Sequence, residues 1–185
     1  MTYKTKVINL IAAPGTGKST TAAGIFHYLK LAGIDVELVG EYAKELTWHE
    51  RQDCLKCQPY VFAKQLYRIE KLLGKVKYII TDSPLILGIV YSEDRYPQCF
   101  TDYVAYAFKQ MDNINYQLIR TKPYNPAGRN QTEEEANELQ NKIVDVLDKY
   151  KIERTIVSAD NACASAIVGS ILAKEFFEKF GDNHE

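Results

Sequence analysis

Apolar and polar positions along the chain alternate between two periods. Five short apolar runs have the length of buried strands: Lys6 to Ala12, Ile34 to Gly40, Val76 to Thr81, Asn115 to Arg120 and Arg154 to Ala159. Between them, apolar residues recur every three or four positions. Ala22, Ile25, Phe26 and Leu29 form one helix face, which stops at Gly33. Val61, Phe62, Leu66, Ile69 and Leu73 lie on one side of a second helical region between Pro59 and Leu73. Thr132 followed by Glu135 is a capping-box start, and Leu139, Ile143, Val146, Leu147 and Tyr150 give the helix behind it an apolar stripe. The last helix is expected from about Ala162 to Phe180, with Phe176, Phe177 and Phe180 in the core. Strands alternating with helices need right-handed crossovers. They therefore predict an α/β fold whose parallel sheet is covered by helices on both faces. No internal repeat, low-complexity tract or linker divides the chain, so residues 1–185 are expected to form a single domain.

The junction between the first strand and the first helix carries the sharpest signal. Ala12-Ala13-Pro14-Gly15-Thr16-Gly17-Lys18-Ser19-Thr20 fits the phosphate-loop pattern G-x-x-x-x-G-K-[ST] everywhere except the first position, where Ala12 stands for Gly. Gly15 and Gly17 let the backbone bend so that successive N–H groups point at phosphate oxygens. The helix behind adds its free N-terminal N–H groups and the positive end of its dipole. Lys18 is placed to reach the outer phosphates, and the Ser19 hydroxyl is the expected magnesium ligand. Ala13 to Thr20 are thus the expected nucleotide-binding residues, and the junction predicts binding of a nucleoside triphosphate with Mg2+.

Composition narrows the setting. At 185 residues the chain can bury a full core. Its formal net charge of -1 gives no basic field, so nucleic acid is expected as a substrate at most and not as a strongly bound duplex. Asp82 interrupts the longest apolar stretch, Tyr78 to Tyr91, so no bilayer-spanning segment and no membrane partner are expected. The first strand begins too soon for a signal peptide, and four cysteines without a framework spacing suggest reduced thiols and a cytoplasmic location.

Ligands of open parallel sheets bind outside the carboxyl ends of the strands. The phosphate loop, Glu41, Asp82, Arg120 and Asp160 follow the five strands in turn. Asp82 ends a strand whose terminal acid reaches a magnesium shell, or else caps the following turn. Ser83 follows it where motor ATPases use a glutamate to polarise water, which argues against hydrolysis as the main activity. Glu41 either orients an acceptor hydroxyl and takes its proton, or favours a helix dipole as a first-turn acid. Lys44, one turn on, contacts phosphate or is merely solvated. The segment from Thr121 to Gln131 is rich in Pro and Gly and ends at the capped helix. It reads as a lid that brings Arg120 and Arg129 to a transferring phosphoryl group, or as an exposed connector. Cys54-x-x-Cys57 with His49 nearby has no second pair at zinc spacing, so metal binding there is disfavoured.

Together, Ala12-x4-Gly17-Lys18-Ser19-Thr20, Glu41-Tyr42-Ala43-Lys44-Glu45, Thr81-Asp82-Ser83-Pro84 and Arg120-Thr121-Lys122-Pro123-Tyr124 leading to Gly128-Arg129-Asn130-Gln131 resemble the small AAA-annotated P-loop kinase-like proteins of bacteriophages. These are similar to ribosylnicotinamide kinases and to nucleoside and nucleotide (thymidylate-type) kinases. The resemblance implies a P-loop NTPase fold with sheet order 2-3-1-4-5 and a short lid at about 121–131. It implies an ATP-dependent, Mg2+-dependent phosphotransferase acting on a nucleoside, a nucleotide or a modified DNA base, in host cytoplasm if the chain is phage-encoded. Related phage kinases phosphorylate 5-hydroxymethyluracil in DNA. On this reading Lys18 holds the β and γ phosphates, Ser19 and Asp82 hold magnesium, Glu41 orients the acceptor, and Arg120 and Arg129 stabilise the transition state. Tyr42, Trp48, Gln58, Tyr60 and Gln65 are candidates for the acceptor pocket, or for core packing. Nucleoside and thymidylate kinases carry an arginine where Ser83 stands, and Arg51, Arg68 and Arg95 are the candidates to replace it. The expected partners are the nucleoside, nucleotide or hydroxymethylated acceptor and, if the chain self-associates, a second copy in a homodimer. A nucleotide-dependent regulatory ATPase is the alternative.

Overall fold

The computed structural model describes residues 2–92, 95–124 and 132–180. The chain runs β1 (Lys6–Ile11), α1 (Lys18–Leu31), β2 (Val36–Val39), α2 (Tyr42–Trp48), α3 (Gln52–Leu55), α4 (Gln58–Glu70), β3 (Tyr78–Thr81), α5 (Leu87–Val90), α6 (Gln98–Lys109), β4 (Asp112–Ile119), α7 (Glu133–Lys149), β5 (Thr155–Ser158) and α8 (Cys163–Phe180). The strands form a five-stranded parallel sheet in the order β2-β3-β1-β4-β5. This is the sheet that the alternating pattern predicts and the order that the resemblance implies.

The two-residue period of the central strand builds both halves of the core. Val7 and Ile11 point into a layer closed by α4, α5, α6 and α7, where Phe62, Ile69, Val104, Phe108, Ile143 and Leu147 meet. Ile8 and Leu10 point the other way, against Ile25 and Leu29 of α1 and Ile167 and Ile171 of α8. Asn9 faces the first layer and is 1% exposed. Its amide donates to Asn113 Oδ1 (2.8 Å) and Asn115 Oδ1 (3.0 Å), so a polar strand start is buried without an orphaned donor.

The helix boundaries follow from identifiable caps. At the end of α1, Gly33 takes φ 73°, its N–H bonds the Lys30 carbonyl, and the Ile34 N–H bonds the Leu29 carbonyl, the Schellman pattern. The Thr132 capping box is present in both directions, with Thr132 Oγ1 accepting from the Glu135 N–H and Glu135 Oε2 accepting from the Thr132 N–H. Two expectations are corrected. The second helical region ends at Glu70, and Leu73 lies beyond it at 37% exposure, while Leu72 packs on the core instead. Phe176 and Phe177 are not core residues: they are 59% and 70% exposed, because α8 has outrun the sheet it covers by its last turns. Among the described residues no helix is long and apolar enough to cross a membrane.

Candidate functional site

A cavity of about 940 Å³ opens beyond the carboxyl ends of β1, β2 and β3. One wall is the phosphate loop. Gly15 and Gly17 take φ 82° and 104°, left-handed values that side chains rarely adopt, and these turn the backbone round the loop. The Thr21 N–H makes the first intrahelical bond, to the Gly17 carbonyl, so the amides of the first turn of α1 have no helical acceptor. Of the eight expected loop residues, Pro14, Gly15, Gly17, Lys18, Ser19 and Thr20 line the cavity. Ala13 and Thr16 are buried behind it, and the Thr16 hydroxyl donates back to the Ala13 carbonyl at 3.0 Å. Lys18 Nζ donates to the Ala12 and Ala13 carbonyls at 2.8 and 3.1 Å. The ammonium is thereby held over the loop's own carbonyls, at the edge of the cavity.

Facing the loop are two carboxylates. Asp82, at the end of β3, is 9% exposed, and its Oδ1 is buried without a hydrogen-bond partner. Burial pushes its carboxyl above the ordinary range, against the pull of Lys18 and the amides of Asp82 and Glu41. Glu41 stands at the end of β2 as the N-cap residue of α2, but its side chain makes no cap hydrogen bond. Burial raises its carboxyl as well, opposed by Lys18 and reinforced by the charge of Asp82. Glu41 lines the cavity, and its place at the N-cap of α2 also sets its charge at the favourable end of that helix's dipole, so both readings are compatible with the geometry. An orphaned, buried carboxylate oxygen beside a phosphate loop is the environment a divalent cation satisfies, and Ser19 lines the same space. The residues present thus fit Mg2+.

The remaining wall comes from α2, α4 and the segment around α5, and includes Lys44, Trp48, Glu50, Gln58, Phe62 and Tyr91. The acceptor-pocket candidates divide here. Trp48, Gln58 and Gln65 reach the cavity. The Gln65 amide is already used: Oε1 accepts from the Tyr42 N–H, and Nε2 donates to the Gly40 carbonyl and Thr81 Oγ1. It locks the ends of β2 and β3 to α4. Tyr42 and Tyr60 share a hydroxyl hydrogen bond of 2.7 Å on the outside, which holds the Tyr42 phenol at about 12. The arginines named as substitutes at Ser83 do not line the cavity. Arg51 pairs with Asp53, Arg68 pairs with Glu45 and covers the Tyr42 ring, and Arg95 donates to the Lys56 carbonyl.

Arg120 lies outside the cavity wall. Its guanidinium bonds Asn137 Oδ1 at 2.7 Å and pairs with Glu133 at 3.1 Å, both on α7, and covers the Tyr124 ring, while Nη1 is buried without a partner. Asp160 accepts the Ala162 N–H at 2.9 Å in the turn that leads into α8. Arg129, with residues 125–131 of the lid expected at about 121–131, lies outside the described residues.

Three residues of the site escaped the sequence pattern. Gln140 of α7 accepts the Ala13 N–H at 2.9 Å and so holds the phosphate loop from behind. Its signal is a polar residue set into the stripe Ala136, Ile143, Leu147. Tyr91 lines the cavity, and burial followed by the charge of Glu41 raises its phenol. Glu50 adopts φ 54°, which no sequence motif marks.

A family model described as an AAA domain matches residues 7–162, from β1 to the turn before α8. No curated protein matches the sequence.

Proposed function

We propose that this chain, which belongs to the AAA domain family, is a phosphotransferase that moves the γ-phosphate of ATP to a hydroxyl of a nucleoside, nucleotide or modified base. A nucleotide-binding P-loop domain is the premise. The observation that carries the rest is that one cavity joins the phosphate loop to a second, partly apolar wall, with Glu41 between them. Beyond ATP, a hydrolase needs room only for a water, whereas the second wall offers room for an acceptor.

The chain's own groups suit each part of the transfer. The loop amides and Lys18 hold the β and γ phosphates and oppose their charge. Ser19 and Asp82 would hold Mg2+, which neutralises charge on the phosphate oxygens when bound. Glu41 accepts a hydrogen bond from the acceptor hydroxyl and orients it toward the γ-phosphorus. The new O–P bond forms as the bond to the β,γ-bridging oxygen breaks. The hydroxyl proton passes to Glu41 and then to water, and ADP leaves. A carboxyl raised by burial is a better proton acceptor than one in water. Phosphoryl transfer is loose, so orientation contributes more than base strength. Arg120 and Arg129 belong to this proposal as lid cations that act when charge develops. The buried, unpartnered Nη1 of Arg120 supports a role at an anion after rearrangement. Screening nucleosides, nucleotides and hydroxymethylated DNA with γ-labelled ATP tests the reading: label should move to one acceptor class. Label that reaches only water would favour the second reading, a regulatory ATPase, for which the AAA family membership speaks.

A further inference from the structure

Past the phosphate loop the cavity continues as a compartment lined by the end of α2, the start of α4 and α5. Three observations about it are independent. Trp48 lines it yet is 70% exposed, so the indole serves neither the core nor a neighbouring helix. Glu50 lines the same wall in a left-handed conformation, which costs stability for a residue with a β-carbon. Asp82, nine-tenths buried, opens into the cavity with an unpartnered oxygen.

The charge balance then selects a ligand. The carboxylates of Glu41, Glu50 and Asp82 face the cavity, against the ammonium groups of Lys18 and Lys44. Lys18 belongs to the phosphate loop, so among the described residues Lys44 is the cation that remains. No guanidinium among those residues lines the space, because Arg51, Arg68 and Arg95 are bound elsewhere. An acceptor carrying its own phosphate would bring negative charge against Glu41 and Glu50, and like charges in contact are strongly unfavourable. A flat ring without phosphate meets no such penalty and gains the open indole face.

We infer that this compartment takes a phosphate-free nucleoside, its ring against Trp48, its sugar hydroxyl toward Glu41 and a hydrogen-bond donor edge at Glu50. The inference rests on the phosphotransferase reading and narrows its acceptor from nucleoside, nucleotide or DNA base to the first.

Trp48 is the sole tryptophan of the chain, so intrinsic fluorescence reads this compartment directly. The full chain, with Mg2+ and a non-hydrolysable ATP analogue, is titrated with the common nucleosides and with their 5′-monophosphates. At least one nucleoside should quench Trp48 with a Kd about tenfold or more below that of its monophosphate. Glu50→Gly removes the carboxylate and also relieves the left-handed strain, so folding does not limit the variant. In it the nucleoside should bind about tenfold or more weakly, since the contact to its donor edge is lost, while the preference over its monophosphate persists, because the phosphate meets Glu41. Monophosphates that bind as tightly as nucleosides, no quenching by either, or an unchanged nucleoside affinity in Glu50→Gly would each overturn the assignment. Binding is read without turnover, which separates the two claims. Nucleoside quenching without label transfer would remove the phosphotransferase reading, whereas label transfer to monophosphates would remove the nucleoside assignment alone.

Discussion

Gln140 is where the phosphate loop is tied to the rest of the molecule. Its Oε1 accepts the Ala13 N–H at 2.9 Å, and Ala13 is 3% exposed. In Gln140→Ala that N–H has no acceptor, and water does not reach it unless the loop shifts. An orphaned buried donor costs about 1–3 kcal/mol. For a chain of this size each kcal/mol lowers Tm by roughly 2–4 °C, so a fall of roughly 2–12 °C is expected. Gln140→Glu separates anchoring from charge. It keeps an acceptor for the Ala13 N–H and replaces the amide Nε2, which is buried without a partner, by oxygen. A carboxylate buried there without a partner is costly in its charged form, so its Tm should fall as pH rises, and the negative charge behind the phosphates should weaken ATP binding. Thermal melts and ATP titrations then separate the two roles: the Tm loss in Ala is independent of pH, whereas Glu loses stability with rising pH and loses the more ATP affinity. A Gln140→Ala Tm within about 1 °C of the parent would refute the anchoring argument, since the expected penalty lies above it.

Four further variants test the same geometry. Lys18→Ala should weaken ATP binding by on the order of 10- to 150-fold, the loss of one charge-assisted phosphate contact, with the fold intact by circular dichroism. Asp82→Asn should move the magnesium titration of turnover far more than nucleotide affinity; an unchanged titration would reduce Asp82 to a structural residue. Glu41→Gln should lower kcat by about 10²-fold if the carboxylate takes the proton, and by less if it only orients the hydroxyl. Because burial raises Glu41 from 4.5, its folded state binds a proton more readily than the unfolded chain. The stability it contributes is complete below about pH 4.5 and is lost as pH rises through the folded value. The Tm difference between parent and Glu41→Gln should therefore move in favour of the variant as pH rises above that point, and a pH-independent difference would contradict the burial argument. In Gly24→Ala the new Cβ would lie 2.7 Å from Ala164 Cβ, where α1 crosses α8. Overpacking of about 1–3 kcal/mol should outweigh the roughly 0.5–1 kcal/mol that alanine gains in a helix, and a raised Tm would show that the helices can part freely.

Much of the fold was legible because both faces of the sheet are buried. Strands such as Val7–Ile11 then read as continuous apolar runs, and the helices between them show clean periodicity. β4 is the exception: Asp112, Asn113 and Ile114 extend it three residues before the expected start at Asn115, and the Asn9 bridge to Asn113 and Asn115 satisfies that half-buried polar stretch. α6 lies outside the expected pattern because Tyr103 and Tyr106 are 51% and 60% exposed, which blurs its apolar face of Val104, Ala107 and Phe108. At the site, the loop was legible since its chemistry is local in sequence. Glu41 and Asp82 were legible as strand ends. The roles of Gln65 and Gln140 were not, since each is decided by an N–H 23 or 127 positions away. A glutamine inside an apolar stripe signals that a partner exists without naming it. Trp48 and Tyr60 look alike as aromatic candidates, and only packing puts one in the cavity and the other outside it.

The central claim is that the γ-phosphate leaves ATP for a hydroxyl held beside Glu41, and a single-turnover partition tests it most directly. The full chain is mixed with γ-labelled ATP and Mg2+, with and without nucleoside, and label on nucleoside is separated from inorganic phosphate. The account predicts that nucleoside speeds loss of label from ATP and receives most of it, and that Glu41→Gln slows that transfer while leaving ATP bound. Label released to water at the same rate with or without nucleoside would contradict it.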